Sequence, residues 1–268
     1  MIFVDERLAR RLELAEGAIA AQIVEARARL DPSHGALWRE IAGAIALFDG
    51  PDSPITQVFG LGMSGPVDAT VVAAIEAFFT ERGAPTNHEV SPLAGVATYA
   101  LLATRGYRPI ELSNVLVLPL GADLDARVDP RISVRIATDD ESAAWVDTSV
   151  TGWSEGGAAP PGLRGFVGAA FASAATTNYV ACIDGVDCGT AALGVHEGIA
   201  LLAGASTVPT ARNRGAQRAL LAARLLDAKK RGCDVAMMAA LPGSVSQRNA
   251  ERNGFRVAYT RTKWAKGN

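Results

Sequence analysis

The sequence predicts an α/β chain of the α+β kind, folded as two tandem domains, each a mixed, mainly antiparallel sheet flanked by helices. Three observations carry that expectation. Amphipathic stretches of helical period alternate with apolar runs of strand length along the 268 residues. In the second half, three such runs follow one another across Gly- and Asp-containing turns, the pattern of neighbouring antiparallel strands. The halves also echo each other. Sliding by 149 residues lays Arg82-Gly83 on Arg231-Gly232, and sliding by 148 lays Gly106-Tyr107 on Gly254-Phe255. A helix precedes each Arg-Gly and a strand follows each Gly-aromatic pair, as a tandem duplication requires. The expected domains are 1–127 and 128–268, divided at the linker GADLDARVDPR, near residues 124–131.

The first element is an amphipathic helix over 6–30, because Leu8, Leu12, Ala15, Ile19, Ile23, Ala26 and Leu30 recur at spacings of three and four. Asp5 starts it and Pro32 stops it. Strands are expected at 41–48 and 55–61, each bounded by Gly, Pro or Asp, then a helix at 67–82 and a strand at 107–120. The second half reads as a strand at 132–137, helices at 141–150 and 163–175, and strands at 179–184, 189–195 and 199–207. A helix at 215–231, a strand at 234–241, a short helix at 244–253 and a last strand at 255–264 complete the order.

Composition excludes several classes. With 49% hydrophobic and 20% charged residues and a net charge of -2, a chain of this length buries a core without disulfide staples. Its longest apolar runs, at 41–48 and 235–241, fall far short of the ~20 residues that span a bilayer. The opening MIFVDERLARRLELAEG meets acids and arginines within a few residues, unlike a secretory signal, so a cytoplasmic location is expected. Cys182, Cys188 and Cys233 lack metal-ligand spacing and read as small buried hydrophobes, and no metal is expected. A Cys182–Cys188 disulfide is disfavoured in a reducing compartment. His34 and His88 lack partner patterns and read as exposed loop residues.

Charge is unevenly placed. Residues 210–268 hold thirteen Lys or Arg against Asp227, Asp234 and Glu251, a net of +10, which leaves -12 for the remainder. Such a basic quarter suggests a polyanionic partner, or else an ordinary solvated face. Phe255, Tyr259 and Trp264 are not interleaved with basic residues as base-stacking surfaces are, so a compact phosphate ligand is favoured over nucleic acid.

The segment STVPTARNRGAQRALLAARLLDAKKRG (206–232) gives that ligand a place. A strand stops at Pro209, and Arg212 to Gln217 lead into a helix whose first N–H groups lack partners and whose dipole favours an anion. Each charge-assisted hydrogen bond there contributes roughly 1.5–3 kcal/mol. Gly215 removes the Cβ that would block close approach to the backbone. No Gly-Lys-Ser/Thr follows, so this is not a Walker loop, and the three glycines of a dinucleotide fingerprint are missing.

R-N-R-G-A-Q in this setting resembles the acetyl-CoA pyrophosphate loop of the GNAT acetyltransferases, whose pattern is Gln/Arg-x-x-Gly-x-Gly/Ala. Arg212 and Gly215 occupy the patterned places, whereas Gln217 stands where the family has Gly or Ala. The element order over 131–268 is similar to the GNAT order, and GSVSQRNAERNGF resembles its last helix and Gly-Phe turn. The first half resembles the same fold without the loop, since MSGPVDATVV (63–72) stands where the arginines should be. The resemblance implies a tandem GNAT architecture with one degenerate copy. It implies that Ala205, Ser206, Thr207 and Val208 hold the pantetheine arm through backbone groups, and that Arg212, Asn213, Arg214, Gly215, Ala216 and Gln217 hold the pyrophosphate.

The activity so implied is N-acetyltransfer from acetyl-CoA to a primary amine of a small molecule or peptide, by a monomer or homodimer. The family's general-acid tyrosine position is Ala250 here. Ser246 and Asn249, one turn apart, are candidate donors to the leaving thiolate, with Asn249 also a candidate cofactor contact; helix capping is the competing reading. Tyr259 is a second candidate acid, against core packing. Glu197, beside His196, is the candidate base, against a polar hairpin turn. Asp139, Asp140, Glu141, Asp147 and Glu155 suit a cationic amine, and surface solubility explains them equally well. The alternative function, favoured by Ala250, is a CoA-binding protein without catalysis.

Overall fold

Asp5 accepts a hydrogen bond from the Leu8 N–H and so starts α1 (Glu6–Leu30), the expected span. This computed structural model describes residues 2–121, 129–154 and 157–266. Most of the expected linker, with its 127/128 boundary, lies outside the described residues, and so does Glu155.

The first half continues with β1 (Leu37–Ile41), β2 (Ala44–Phe48), β3 (Gln57–Phe59), α2 (Ala69–Thr80), β4 (Asn87–Val90), α3 (Val96–Thr104) and β5 (Tyr107–Pro119). The second half holds β6 (Ile132–Ile136), α4 (Ser142–Trp153), α5 (Leu163–Phe171), β7 (Thr176–Ile183), β8 (Val186–His196) and β9 (Ile199–Thr207). It ends with α6 (Ala216–Lys230), β10 (Val235–Ala240), α7 (Val245–Arg252) and β11 (Arg256–Lys266). The fold is mixed α/β, with mainly antiparallel sheet flanked by helices.

Four expectations change. The run expected as one strand at 41–48 folds as a hairpin, because Ala42 (φ 50) and Gly43 (φ 78) take the left-handed turn between β1 and β2. β4 and α3 had no counterpart in the reading: NHEV is short and polar, and VATYALLAT carries no clear apolar stripe. His88 is no loop residue but a buried one on β4, and His34 is half-buried, 3.6 Å from Asp49. Finally, the chain does not divide at one point. One unit comprises Met1–Leu118 with Met237–Asn268, the other Pro119–Ala236. The expected assignment of 237–268 to the second domain is corrected, since β11 lies between β4 and β5 and pairs antiparallel with both.

The first unit orders its strands β1-β2-β3-β4-β11-β5, with β3 and β4 parallel. Burial of every residue of β2 follows from alternation. Ile45 and Leu47 pack with Ala20, Ala21 and Val24 of α1, while Ala44, Ala46 and Phe48 pack with Val72, Ile75 and Phe79 of α2. In the second unit β9-β8-β7-β6 are antiparallel neighbours. Val180 faces Trp145 and Val167 of α4 and α5, and the adjacent Tyr179 donates to Asp227 of α6 on the other face.

The matched dipeptides recur for a backbone reason. Gly83 (φ 63) and Gly232 (φ 77) are the left-handed residues after α2 and α6, and Gly106 (φ 84) and Gly254 (φ 91) precede β5 and β11. All three cysteines are free, with Cys188 and Cys233 buried.

Candidate functional site

The loop between β9 and α6 lies wholly in the second unit. After a short turn at Pro209–Ala211, Asn213 (φ 62) and Gly215 (φ 96) take left-handed conformations, the backbone form of anion-binding concavities. Gly215 stands at the N-cap of α6, and no side chain caps that end. The first helical hydrogen bond runs from Ala219 to Gly215, which leaves the N–H groups of Ala216 and Gln217 without acceptors inside the helix. A Cβ on Gly215 would sit 3.1 Å from the Ile132 side chain.

Side chains around the loop hold its shape. Arg212 donates to the carbonyls of Gly152 (2.9 Å) and Thr207 (3.4 Å), tying the loop to α4 and to the end of β9. Arg214 pairs with Asp184 at 3.1 Å. Gln217 folds back onto the strand and donates to Thr207 Oγ1 at 2.7 Å, which accounts for an amide where the motif has a small residue. Ser206 is buried, bonded to Thr190 Oγ1 and the Ser149 carbonyl, so its side chain serves packing. Gly152 lets α4 approach this closely, because a Cβ there would lie 2.6 Å from Ser206 Oγ. Beside the loop, Asp129, Arg131, Ile132, Ile183, Asn213 and Arg214 line a concavity of about 320 Å³. Arg131, Ile132, Ile183 and Asp184 carry no local motif, and only the fold brings them to the loop.

In the first unit the head of α2 is closed by the chain itself. Asp68 caps α2 and accepts from the N–H groups of Thr70 and Val71, both at 2.9 Å. A carboxylate of the chain itself therefore sits at that helix head and repels a second anion.

The candidate catalytic residues scatter. Glu197 (φ 44) and Gly198 (φ 79) form the tight turn between β8 and β9. Eight residue steps separate Glu197 from Ala205, roughly 25 Å along a strand, so the structure does not bring it to the loop. Ser246 and Asn249 are exposed on α7, in the first unit, and the cap of that helix is Ser244, which accepts from the Gln247 N–H at 3.1 Å. Tyr259 is buried and donates to Glu13 at 2.8 Å; burial and that carboxyl push its phenol pKa well up. It belongs to a buried cluster in which Arg261 meets Glu16 at 2.6 Å, Glu89 at 3.0 Å and Glu13 at 3.7 Å. Of the acids suggested for the acceptor, Glu141 is taken up by Thr138 and Arg135, and Asp147 by Arg164.

The basic quarter is likewise divided. Arg224 and Arg261 are internal, and Arg231 pairs with Asp227.

No protein-family model matches the chain, and no curated protein matches its sequence. Solved structures match it in fold. A GCN5-related N-acetyltransferase from Kribbella flavida aligns with a TM-score of 0.65 at 16% identity, over 93% of this chain and 96% of that one. Another from Sphaerobacter thermophilus aligns at 0.61 and 16% identity, over 83% and 80%. A tandem GNAT protein from the clavulanic acid biosynthesis pathway aligns at 0.56 and 13% identity, over 83% and 74%. The chain thus shares the fold of these acetyltransferases, a tandem GNAT protein among them.

Proposed function

We propose that the protein is an acetyl-CoA-dependent N-acetyltransferase acting on a primary amine of a small molecule or peptide. The observation that carries this reading is the contrast between the two helix heads: Asp68 caps α2, whereas α6 is uncapped behind Arg212, Arg214 and Gly215. Acetyl-CoA supplies an activated acyl thioester. Its pyrophosphate would be held by the loop residues Arg212, Asn213, Arg214, Gly215, Ala216 and Gln217, and its pantetheine arm by backbone groups of Ala205, Ser206, Thr207 and Val208. The proposed location is cytoplasmic, the oligomeric state monomer or homodimer, and nucleic acid is the disfavoured partner.

Attack by a neutral amine needs a proton acceptor and donors to the developing negative charge. Ser246 and Asn249, on one exposed face of α7, are the proposed donors. Glu197, in the turn that enters β9, is the proposed base. A second reading, CoA binding without catalysis, is favoured by one observation: the family's tyrosine position is a buried alanine, Ala250.

Calorimetric titration of acetyl-CoA at two salt concentrations tests both readings. The wild type is expected to bind at one saturable site, and a folded Arg214→Glu, Gly215→Glu variant to bind about 100-fold more weakly. No binding by folded wild type overturns both readings. Binding without acetylation of any amine in a broad screen selects the second.

A further inference from the structure

Between Thr190 and Ala192 the register of β8 against β9 slips, so that Gly204 and Ala205 together face Ala191. This is a bulge, and Gly204 (φ 62) adopts the left-handed conformation that it needs. A Cβ at Gly204 would come no nearer than 3.8 Å to Ala192, so the demand is on the backbone and not on space. Ala203 and Gly204 are exposed, whereas Leu201, Leu202, Ser206 and Thr207 on either side are buried. The strand opens where it bulges.

Arg224 of α6 lies beneath that bulge and is 2% exposed. Its Nη1 donates to the carbonyls of Ala192 (3.1 Å) and Ala203 (3.3 Å), which are cross-strand partners at the bulge's edge, and its Nε donates to Leu220 (3.1 Å). Every other buried residue of α6 is Ala or Leu. A leucine or methionine there would avoid the cost of taking a guanidinium out of water, a cost visible in a pKa lowered to about 10 by burial. The guanidinium supplies what an aliphatic side chain cannot: a donor shared by two carbonyls whose ladder the bulge interrupts.

We propose that Arg224 is a positioning residue, clamping the Gly204 bulge so that the backbone groups of Ala205 to Val208 present a fixed edge to the pantetheine arm. This rests on the acetyl-CoA reading above. Arg224 touches no ligand and acts through the strand.

Two probes separate this role from general support of the fold. Acetyl-CoA carries the pantetheine arm, and adenosine 3′,5′-bisphosphate carries phosphate and adenosine without it. With Arg224→Met, the Kd for acetyl-CoA is expected to rise about tenfold, with that for adenosine 3′,5′-bisphosphate unchanged. Arg224→Lys, which keeps a donor, should recover part of the loss. Gly204→Ala should show the same selectivity, and it keeps the comparison available if Arg224→Met does not fold. Combining Gly204→Ala with Arg224→Met should add little, since both act on one bulge. Equal binding of acetyl-CoA by wild type and both variants overturns the proposal, as does equal weakening of both probes. A folded wild type that binds neither probe removes the acetyl-CoA reading itself.

Discussion

Glu13 is 0% exposed and shares its oxygens between the Tyr259 hydroxyl and the neighbourhood of Arg261, an arginine already held bidentately by Glu16. Three carboxyls around one guanidinium leave negative charge in excess, and burial resolves it by raising Glu13 to about 7, against the opposing pull of Arg261. A folded pKa above the unfolded value means that stability is fully present below about 4.5 and is lost as pH rises through about 7. Glu13→Gln removes that titration. The wild type, measured relative to Glu13→Gln, should lose about 3 kcal/mol between these limits, read from denaturant midpoints taken from pH 4 to 8. Burial lowers His88 to about 3, so its protonation opposes the fold as pH falls below 6.5. Both proteins share that limb, and it cancels in the difference. A difference that stays flat with pH would remove Glu13 as the titrating group.

At the scale of elements, α2 and α6 have opposite heads, one capped by Asp68 and one without a side-chain cap, and under the proposed reading that difference decides which of them receives an anion. Asp68→Ala deletes the bonds to Thr70 and Val71 and should cost about 1 kcal/mol, while acetyl-CoA affinity stays at the wild-type value. A drop in affinity would show that the first copy takes part in binding. What was legible in the sequence follows the same division between local and distant causes. The span of α1, the β7–β8–β9 order and the R-N-R-G-A-Q loop are each written in neighbouring residues: apolar spacing, turn glycines, a motif at a helix head. The β1–β2 turn hid inside the uniformly apolar run IAGAIALF, since only its φ values separate a hairpin from a strand. The Gly204 bulge had a visible signal, a lone glycine within a strand. Its clamp had none, because Arg224 stands 20 residues further on and looks like any helix arginine.

For the whole molecule, the consequential fact is that β11, the last strand, is an interior strand of the unit that α1 begins. It pairs with β4 through Thr262 to Ala265 and with β5 from Arg256 to Lys266. Both its faces are committed: Trp264 packs with Val58, Val90 and Tyr107, and stacks edge-on against Tyr99, while Tyr259 and Arg261 complete the cluster around Glu13. Without β11, β4 and β5 would each expose a row of unpaired backbone groups, and the Glu13, Glu16 and Glu89 carboxyls would lose their shared cation. The unit therefore cannot close until the chain is nearly complete, a high contact order that slows folding. A chain ending at Gly254 should lose amide protection throughout β4 and β5 in native-state hydrogen exchange, while β7 and β8 keep theirs. A fragment of residues 1–127 should be unfolded alone and regain β4 protection when residues 128–268 are added. Full protection of β4 in the isolated fragment would show that the first copy folds by itself and that β11 is only laid against it.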